Sequence, residues 1–511
     1  MDFKNRADVR KFVLMIEDKF PVDKWRINNI DLWPFIRIDI AFFLIGKIEF
    51  RNKQNENLEK NKPIIQQTVL QIEKQKITFS NLIYSIKCFV KYLSWLKNLK
   101  SKKNLFYNLS ANQIQFEEKS INRLFHPIIC KYNLEKQSSV INSGINYPTK
   151  NYPAEFDVNF NFGQEHFLAW KKFTFKIKNK FTRGNKIELK NLNEFDTYLK
   201  TFSIFNDFTD ILNYTIEKKY FIELNLSFYT KLLKKINPQN LFILAYYESS
   251  HNFLITAAAN DLNIRTIEMQ HGPHPEFHLG YCIWTKIPKF GFNTIPYYYW
   301  CWDNISTLVF NSWIPNIYNF KAFVGGNPWV EYWKQKLPNT NLPKFILYTL
   351  QPAPLTLELL FPPEIIKIIK SKKITWYLRL HPLQQENLNE IVAFLKEKEI
   401  YDLVNIKDAN NNHLPLLLYS CQFHVSNYSG SIIEASLFYK FSIILHTIGE
   451  NGFKELIQEK RAIYLPPNSP NFESTFNEII DSFELTDNKN IFQNKLVESE
   501  IEESEVLKLF N

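Results

Sequence analysis

The chain has 511 residues, of which 45% are hydrophobic and 22% charged, and its formal net charge is +10. A chain of this length exceeds what one hydrophobic core normally serves, so we expect two domains. The hydrophobic and charged fractions are those of a soluble globular protein. The positive charge favours an anionic partner, but the sequence contains no recognisable nucleic-acid-binding motif, so we expect no nucleic acid.

The expected location of the protein and the expected state of its cysteines follow from features that the sequence lacks. Its first residues do not form the apolar core of a signal peptide, and no uncharged apolar run is long enough for a spanning helix. We therefore expect a cytoplasmic protein. The five cysteines include no CxxC pair, which argues against a zinc cluster or a disulfide framework. They are Cys88, Cys130, Cys282, Cys301 and Cys421.

Residues 1–103 are predicted to form a helical N-terminal extension. The stretch Asn81–Lys103 carries apolar residues at helical spacing and ends in a lysine cluster. Two interpretations remain open, a basic amphipathic helix on an anionic membrane and an ordinary helix packed on its own domain. The apolar positions are Leu82, Ile86, Phe89, Leu93 and Leu96.

Residues 104–335 are predicted to form a first Rossmann-like domain. A strand is expected at 104–110, followed by a mainly helical and polar region to about residue 236. The segment after it predicts a strand at Leu241–Tyr246, a helix at Asn252–Leu262 and a strand at Arg265–Met269, which is a βαβ unit with a parallel sheet. Further strands are expected at 296–303 and 320–326.

Residues 336–511 are predicted to form a second Rossmann-like domain, because strands again alternate with helices and end in polar residues. Two such domains facing each other would place a ligand cleft between the carboxyl ends of their sheets. The predicted strands are 345–352, 374–382, the start of 421–438, 441–449 and 461–467, and the predicted helices are 363–371, 386–399 and the end of 421–438.

The stretch "RTIEMQHGPHPEFHLGY" places His271, His274 and His278 close together. Pro273 and Pro275 interrupt it, so it is a loop rather than a helix, and no HExxH pattern accompanies it. We therefore expect no metal site. His271 follows the end of a strand, where a histidine can act as a general base, although it could also only hydrogen-bond its own loop.

The motif "YLRLHP" places Arg379 and His381 at the end of a predicted strand. An arginine and a histidine at such a position can bind phosphate, and a protonated histidine can serve a departing phosphate as an acid.

The motif "HVSNYSGSIIEA" predicts a strand ending near Ser426, a small polar loop and a helix. Ser429 and Gly430 would allow backbone N–H groups to approach an anion at the start of the helix, and Glu434 could accept ribose hydroxyls. The alternative is an ordinary helix N-cap. Neither a GxGxxG nor a GxxxxGK[ST] pattern is present.

These motifs in this order, "IRTIEMQHG", "VGGNP", "RLHP" and "SNYSGSIIEA", resemble the glycosyltransferases of bacterial capsule and surface-polysaccharide biosynthesis. That set is distantly similar to bacterial sialyltransferases and teichoic-acid glycerophosphotransferases. The resemblance implies an α/β, GT-B-like fold, with two Rossmann-like domains facing across a cleft. It is best over residues 240–450. The early "KWRINNIDLWPFIR" also resembles a helical N-terminal element of such proteins.

The resemblance implies a nucleotide-activated donor, CMP-, UDP- or similar, in the second domain and an acceptor in the first. His271 would be the base, and His381 and the 426–431 loop would contact the donor phosphate. The sequence departs from the sialyltransferases, which carry an acidic pair before a glycine as their base motif, because "AYYESSHN" offers only Glu248, which is the alternative candidate for the catalytic base. The expected donor contacts are Gln351, Arg379, His381, Ser426, Asn427, Ser429, Gly430, Ser431 and Glu434, and the expected acceptor contacts are His274, His278 and Tyr281.

The resemblance thus implies a glycosyltransferase, or a closely related glycerophosphotransferase, that needs neither a metal nor another cofactor and builds a surface polysaccharide such as capsule or lipopolysaccharide. Its expected partners are a nucleotide sugar and a polysaccharide or lipid-linked acceptor, with a peripheral contact to the inner membrane face. The alternatives are a nucleotide-sugar epimerase or hydrolase of the same fold, and a non-catalytic glycan-assembly protein that binds its ligand.

Overall fold

A computed structural model describes residues 3–52, 79–108, 112–116, 119–142, 158–181, 189–275, 277–337, 344–352, 355–371, 374–485 and 501–510. The structural statements below concern these residues. The chain divides into two compact units. The first contains Met1–His271, Glu276–Gly326 and Ile501–Asn511, and the second contains Gly272–Pro275 and Asn327–Glu500.

The first unit is built on a six-stranded parallel sheet with the strand order β10-β9-β8-β7-β3-β6. Strand β7 is buried along its whole length, as expected for a parallel sheet covered on both faces. Two short antiparallel pairs, β1-β2 and β4-β5, accompany it. The strands are β1 (Arg26–Ile27), β2 (Ile30–Asp31), β3 (Asn104–Asn108), β4 (Gln113–Phe116), β5 (Lys119–Asn122), β6 (Ser138–Asn142), β7 (Asn240–Ile243), β8 (Arg265–Met269), β9 (Tyr298–Cys301) and β10 (Lys321–Val324).

The second unit is built on another six-stranded parallel sheet, ordered β13-β12-β11-β14-β15-β16. Its central strand β11 is wholly buried. The predicted α/β fold class, GT-B-like in having two Rossmann-like sheets, is therefore confirmed. The strands are β11 (Phe345–Thr349), β12 (Thr375–Arg379), β13 (Val404–Asn405), β14 (His424–Ser426), β15 (Ser442–Ile444) and β16 (Ala462–Tyr464).

Helices connect the strands of both sheets. In the first unit they are Arg6–Lys19, Trp33–Asn52, Phe79–Asn98, Phe125–Lys131, Phe160–Phe181, Leu192–Lys200, Ile211–Ile236, Ser250–Asp261, Asn304–Asn311 and Glu503–Phe510. In the second unit they are Pro328–Lys336, Leu357–Leu360, Pro363–Ser371, Leu388–Glu397, Lys407–Asn411, Leu414–Ser420, Ser431–Leu437, Thr447–Gly452, Lys454–Gln458 and Phe472–Leu485. Short 3₁₀ turns lie at Val22–Lys24, Glu135–Gln137, Ser203–Phe205, Ile314–Asn316, Pro382–Asn387 and Tyr401–Leu403.

The N-terminal extension shares the hydrophobic core of the first sheet. Phe35 packs on Phe253 with ring centroids 4.5 Å apart. A fully buried ion pair joins Arg37 to Glu17 at 3.1 Å, and the Arg37 Nη2 also donates to the carbonyl of Ile283 at 2.8 Å. The ion pair neutralises the two buried charges, and together these contacts fix the extension against the first unit.

The helix Phe79–Asn98 differs from the predicted amphipathic pattern, because its apolar residues divide between two faces. Phe89 and Leu96 pack against the core, whereas Ile86 and Leu93 are exposed. The sequence indicated a single stripe because helical spacing alone does not say which face meets a neighbouring helix. Within the described ranges, every helix is too short or too polar to serve as a transmembrane span.

Other differences lie between residues 112 and 236, which we expected to be mainly helical. Strand β6 falls in this region and pairs with β3, and β4 and β5 form a hairpin before it. In the second unit the two-residue strand β13 was not predicted. The sequence "RNKQNENLEKNKP" at 51–63 predicts a polar loop, and this segment lies almost wholly outside the described residues. The C-terminal helix Glu503–Phe510 groups with the first unit, although the predicted boundary placed it in the second domain.

Candidate functional site

His271 lies just beyond the carboxyl end of strand β8, as the sequence predicted. Its Nδ1 is 3.4 Å from the carbonyl oxygen of Met269 and 3.7 Å from the carboxylate of Glu268. A carbonyl oxygen can only accept, so the Met269 carbonyl beside Nδ1 favours the tautomer in which Nδ1 carries the proton and the lone pair is on Nε2. The Nε2 is 3.4 Å from the Tyr247 hydroxyl, which can donate to it. The ring therefore presents a basic nitrogen.

Glu268 is the residue of this site that the sequence did not reveal. It lies inside β8 and is fully buried, where its carboxylate accepts hydrogen bonds from the backbone N–H groups of Ala245 and Tyr246 and from the Tyr281 hydroxyl. The only available signal was a glutamate within the apolar strand "RTIEM". Because an unpartnered buried carboxylate is costly, a glutamate in a buried strand indicates a set of donors around it.

Burial shifts the pKa values of this pair in opposite directions. It raises the pKa of Glu268 to about 8, against the effect of the Tyr281 hydroxyl and the two backbone donors. It lowers the pKa of His271 to about 4. At neutral pH the imidazole is therefore unprotonated and able to accept a proton, as a general base must.

The three residues predicted to contact an acceptor have different environments. Tyr281 is only 1% exposed and its hydroxyl donates to Glu268, so it supports the carboxylate and has almost no surface left for the predicted acceptor contact. His278 is partly buried, with its ring 4.8 Å from that of Tyr247, and burial lowers its pKa to about 3. His274 lies in the 272–275 segment that groups with the second unit.

Glu248 follows β7 and is exposed. Its backbone N–H donates to the carbonyl of Ala245 at 2.8 Å. Its position at the same edge of the sheet as His271 keeps it as the second candidate base.

In the second unit, Arg379 is directed at the backbone and not at an open surface. Its Nη1 donates to the carbonyl oxygens of Ala409, Asn410 and Asn412, which lie at the end of the helix Lys407–Asn411. A cation at a helix C-terminus stabilises the exposed carbonyls there. Because Nη1 donates to these three carbonyl oxygens, its main role is structural and is not the predicted phosphate contact.

His381 begins the 3₁₀ turn Pro382–Asn387 and is partly buried. Its Nδ1 accepts from the backbone N–H of Leu383 at 3.2 Å, so in the neutral ring the proton lies on Nε2. Burial lowers its pKa. His381 thus presents an N–H donor, the opposite tautomer to that of His271.

The loop between β14 and the helix Ser431–Leu437 contains two kinds of predicted donor contact. Ser426 and Ser431 are buried, and both hydroxyls hydrogen-bond to Thr349, which also contacts His424 at 2.9 Å. This hydroxyl cluster holds β11, β14 and the helix together, and sequence reasoning did not assign Thr349 or His424 to it. The two serines therefore position the loop from inside.

Gln351 also holds this loop in place, because its side-chain oxygen accepts from the Tyr428 N–H at 2.9 Å. Asn427 donates to the Tyr348 hydroxyl at 3.3 Å. The backbone N–H groups of Ser429 and Gly430 have no hydrogen-bond acceptor within the described chain. Adjacent N–H groups of this kind at a helix start can bind an anion.

Glu434 lies within the helix that follows and is only 4% exposed. Little of its surface is left for the predicted contact with a ribose hydroxyl.

In the same unit, the Cδ of Pro273 is 3.7 Å from where a Cβ would stand on Gly430, so the 272–275 segment packs beside the loop. Among the described residues, no group of three or more His, Cys, Asp or Glu side chains is placed to hold a metal ion.

No family model and no curated protein matches the chain. Similar solved structures include Staphylococcus aureus MnaA with UDP (TM-score 0.44, 13% identity, 75% of this chain and 89% of that one). They also include UDP-GlcNAc 2-epimerase from Neisseria meningitidis bound to UDP-GlcNAc (0.44, 14%, 81% and 99%). A third is a glycosyltransferase from Rickettsia africae (0.38, 11%, 76% and 89%). At these values the likeness identifies no residue and no reaction in this chain.

Proposed function

We propose that the protein is a metal-independent glycosyltransferase that moves a sugar from a nucleotide-activated donor to a surface-polysaccharide acceptor. The observation that carries the proposal is the hydrogen bonding of two histidines, which favours opposite tautomers. His271 in the first unit offers a lone pair on Nε2, and His381 in the second unit offers a proton on Nε2. Transfer to an acceptor hydroxyl needs both, a base for the hydroxyl and a donor for the departing phosphate.

The donor side of the proposal rests on the carboxyl edge of the second sheet. His381 follows β12, and the free N–H groups of Ser429 and Gly430 follow β14. Strand β11 lies between these two strands, so the three groups share one edge of the sheet. Hydrogen-bond donors there would stabilise the negative charge that develops on the nucleotide phosphate without a bound metal.

A panel of nucleotide sugars, each with and without a glycan acceptor, tests the proposal. We expect nucleotide release only when donor and acceptor are both present, because the base acts on the acceptor hydroxyl. A changed sugar nucleotide without acceptor would establish an epimerase instead, and acceptor-independent release would establish a hydrolase. Glycan binding without any turnover would establish a non-catalytic assembly protein.

The same panel in EDTA tests the metal-free mechanism. We expect the release rate to stay within about twofold of the untreated rate, since protein donors and helix termini supply the stabilisation. A loss of activity that magnesium or manganese restores would overturn this part of the proposal. It would make His271, His274 and His278 candidate metal ligands.

A peripheral contact with the inner membrane face is also part of the proposal. Exposed apolar side chains recur along the helix Phe79–Asn98 at alternating spacings of four and three residues, and its only charged residues are lysines. An apolar stripe bordered by lysines suits an anionic lipid surface. The stripe consists of Phe79, Ile83, Ile86, Val90 and Leu93, and the lysines are Lys87, Lys91 and Lys97.

Liposome flotation measures this contact. We expect the protein to float with anionic vesicles at low salt, less at high salt and little with neutral vesicles. Replacing Ile86 and Val90 with serine should reduce the floating fraction several-fold, because each buried apolar group contributes to insertion. A matched variant with Leu308 and Leu359 replaced by serine, two leucines exposed on other helices, should float like the wild type. Equal flotation of the three proteins would show that this helix does not make the membrane contact.

A further inference from the structure

One face of the helix Trp33–Asn52 is open beside the candidate base. Phe42 is 49% exposed although it is a large apolar residue, and the Asp39 side chain, one turn earlier on the same face, is 36% exposed. Gly46, one turn later, is exposed and has no heavy atom within 4 Å of a Cβ built on it. The face therefore combines an aromatic ring, a carboxylate and free space.

Tyr247 connects this face to His271. Its hydroxyl contacts the His271 Nε2 at 3.4 Å, and its ring lies 6.4 Å from the ring of Phe42 at an angle of 55°. The Phe42 and Tyr247 rings form an aromatic corner, and the Tyr247 end of this corner contacts the basic Nε2 of His271. Both residues belong to the first unit, so the corner is a feature of that unit alone.

The Asp39 carboxylate is held in place by a built network. Its Oδ2 accepts from the Tyr214 hydroxyl at 2.5 Å and pairs with the Lys218 Nζ at 3.0 Å. Lys218 is buried and also donates to the Ser250 hydroxyl at 2.8 Å, three residues after Tyr247. Each of these contacts of Asp39 within the described chain uses Oδ2, which leaves Oδ1 as an oriented acceptor.

The chemistry of these groups selects a ligand class. The half-exposed Phe42 ring, beside the partly buried Tyr247 ring, gives a surface for the apolar C–H face of a sugar ring, and an oriented carboxylate oxygen accepts from sugar hydroxyls. The Lys218 and Asp39 charges cancel, and the nearby exposed Glu248 adds a negative charge. A phosphorylated or carboxylated sugar would be repelled there, whereas an uncharged sugar would not.

We propose that Phe42, Tyr247 and Asp39 form a subsite that binds an uncharged sugar residue at the end of the acceptor. The inference rests on the proposed function, because it takes the glycan beside His271 to be the acceptor. The subsite presents the sugar hydroxyl to the His271 Nε2, and the N-terminal extension thereby contributes directly to substrate recognition.

Ligand-observed NMR and acceptor kinetics test the subsite on the full chain. The probes are neutral hexose and N-acetylhexosamine disaccharides and the same disaccharides carrying a phosphate. We expect the neutral probes to bind and the phosphorylated ones to bind at least about tenfold more weakly. Phe42→Ala should weaken neutral-probe binding and raise the acceptor KM by about tenfold, with kcat and donor KM kept, while Phe42→Trp restores binding.

Phe290→Ala is the matched control, since Phe290 is 61% exposed elsewhere in the same unit and should leave both readouts unchanged. Asp39→Asn keeps an oxygen for Tyr214 and should also weaken neutral-probe binding. Equal binding by wild type and Phe42→Ala, or binding of no neutral probe by the wild type, overturns the subsite. Because the NMR arm needs no turnover, neutral-sugar binding that depends on Phe42 supports the subsite even if the panel shows that the protein is not a transferase.

Discussion

His271→Ala is expected to lower kcat for transfer by at least about 10²-fold while the affinity for the nucleotide donor stays within about twofold of the wild type. The imidazole is neutral at physiological pH because burial lowers its pKa to about 4, and its Nε2 lone pair is the proton acceptor. Donor binding uses the other unit in the proposal, so a base variant should not change it. Steady-state kinetics and isothermal titration with nucleotide measure the two quantities.

The histidines of the same loop are the comparison variants. His274→Ala and His278→Ala should mainly raise the acceptor KM, because they are assigned to acceptor binding and not to proton transfer. Near-normal turnover of His271→Ala would contradict the assignment of the base and make Glu248 the next candidate.

The pH profile distinguishes a base from a residue that only supports the fold. Activity should fall as the pH drops through about 4, where His271 becomes protonated. A second change is expected near pH 8, where Glu268 ionises. The negative charge of the Glu268 carboxylate then stabilises the protonated imidazole, which makes His271 a stronger base. The kcat should therefore rise above that pH in the wild type and not in Glu268→Gln. An unchanged profile in this variant would show that Glu268 does not act through His271.

His381→Ala is expected to weaken nucleotide binding or slow turnover by about 10²-fold, the scale for removing one preorganised donor. The Nε2–H of His381 is the group lost, because the Nδ1 is occupied by the Leu383 N–H. The fold should survive, since the ring is only partly buried. Nucleotide titration and turnover with saturating acceptor are the measurements.

His381→Asn separates the contact with the donor from the local structural role. Asparagine is a good N-cap, so it can accept from Leu383 and keep the turn, but it lacks the imidazole N–H. We expect the asparagine variant to be as impaired as the alanine variant. Recovery of binding with asparagine would assign His381 to the turn and remove it from the donor site.

The alternation of strands and helices was predictable because buried parallel strands are apolar runs and each ends in polar loop residues. Strand β8 was predicted at its observed bounds, and β11 and β12 within a few residues. Strand β6 was missed because "SSVIN" is short and half polar, and it is stabilised by pairing with β3. Pairing of this kind depends on residues distant in sequence.

Positions in the candidate site were predictable where the chain itself placed them. His271 and His381 follow strands whose ends the sequence indicated, so their location at the edge of a sheet needed no tertiary information. The directions of the side chains were not predictable. Arg379 is at a strand end too, yet its Nη1 donates to three carbonyl oxygens contributed by a later helix.

The sequence by itself determined two parallel α/β sheets and which residues stand at their edges, because hydrophobic periodicity and loop residues are local properties. Tertiary structure alone decided how those residues act. Glu268 becomes the partner of His271 only because Ala245, Tyr246 and Tyr281 surround its carboxylate. The tautomer of a histidine, the burial that sets its pKa and the exposed face beside it all depend on neighbours that folding brings together from distant parts of the chain.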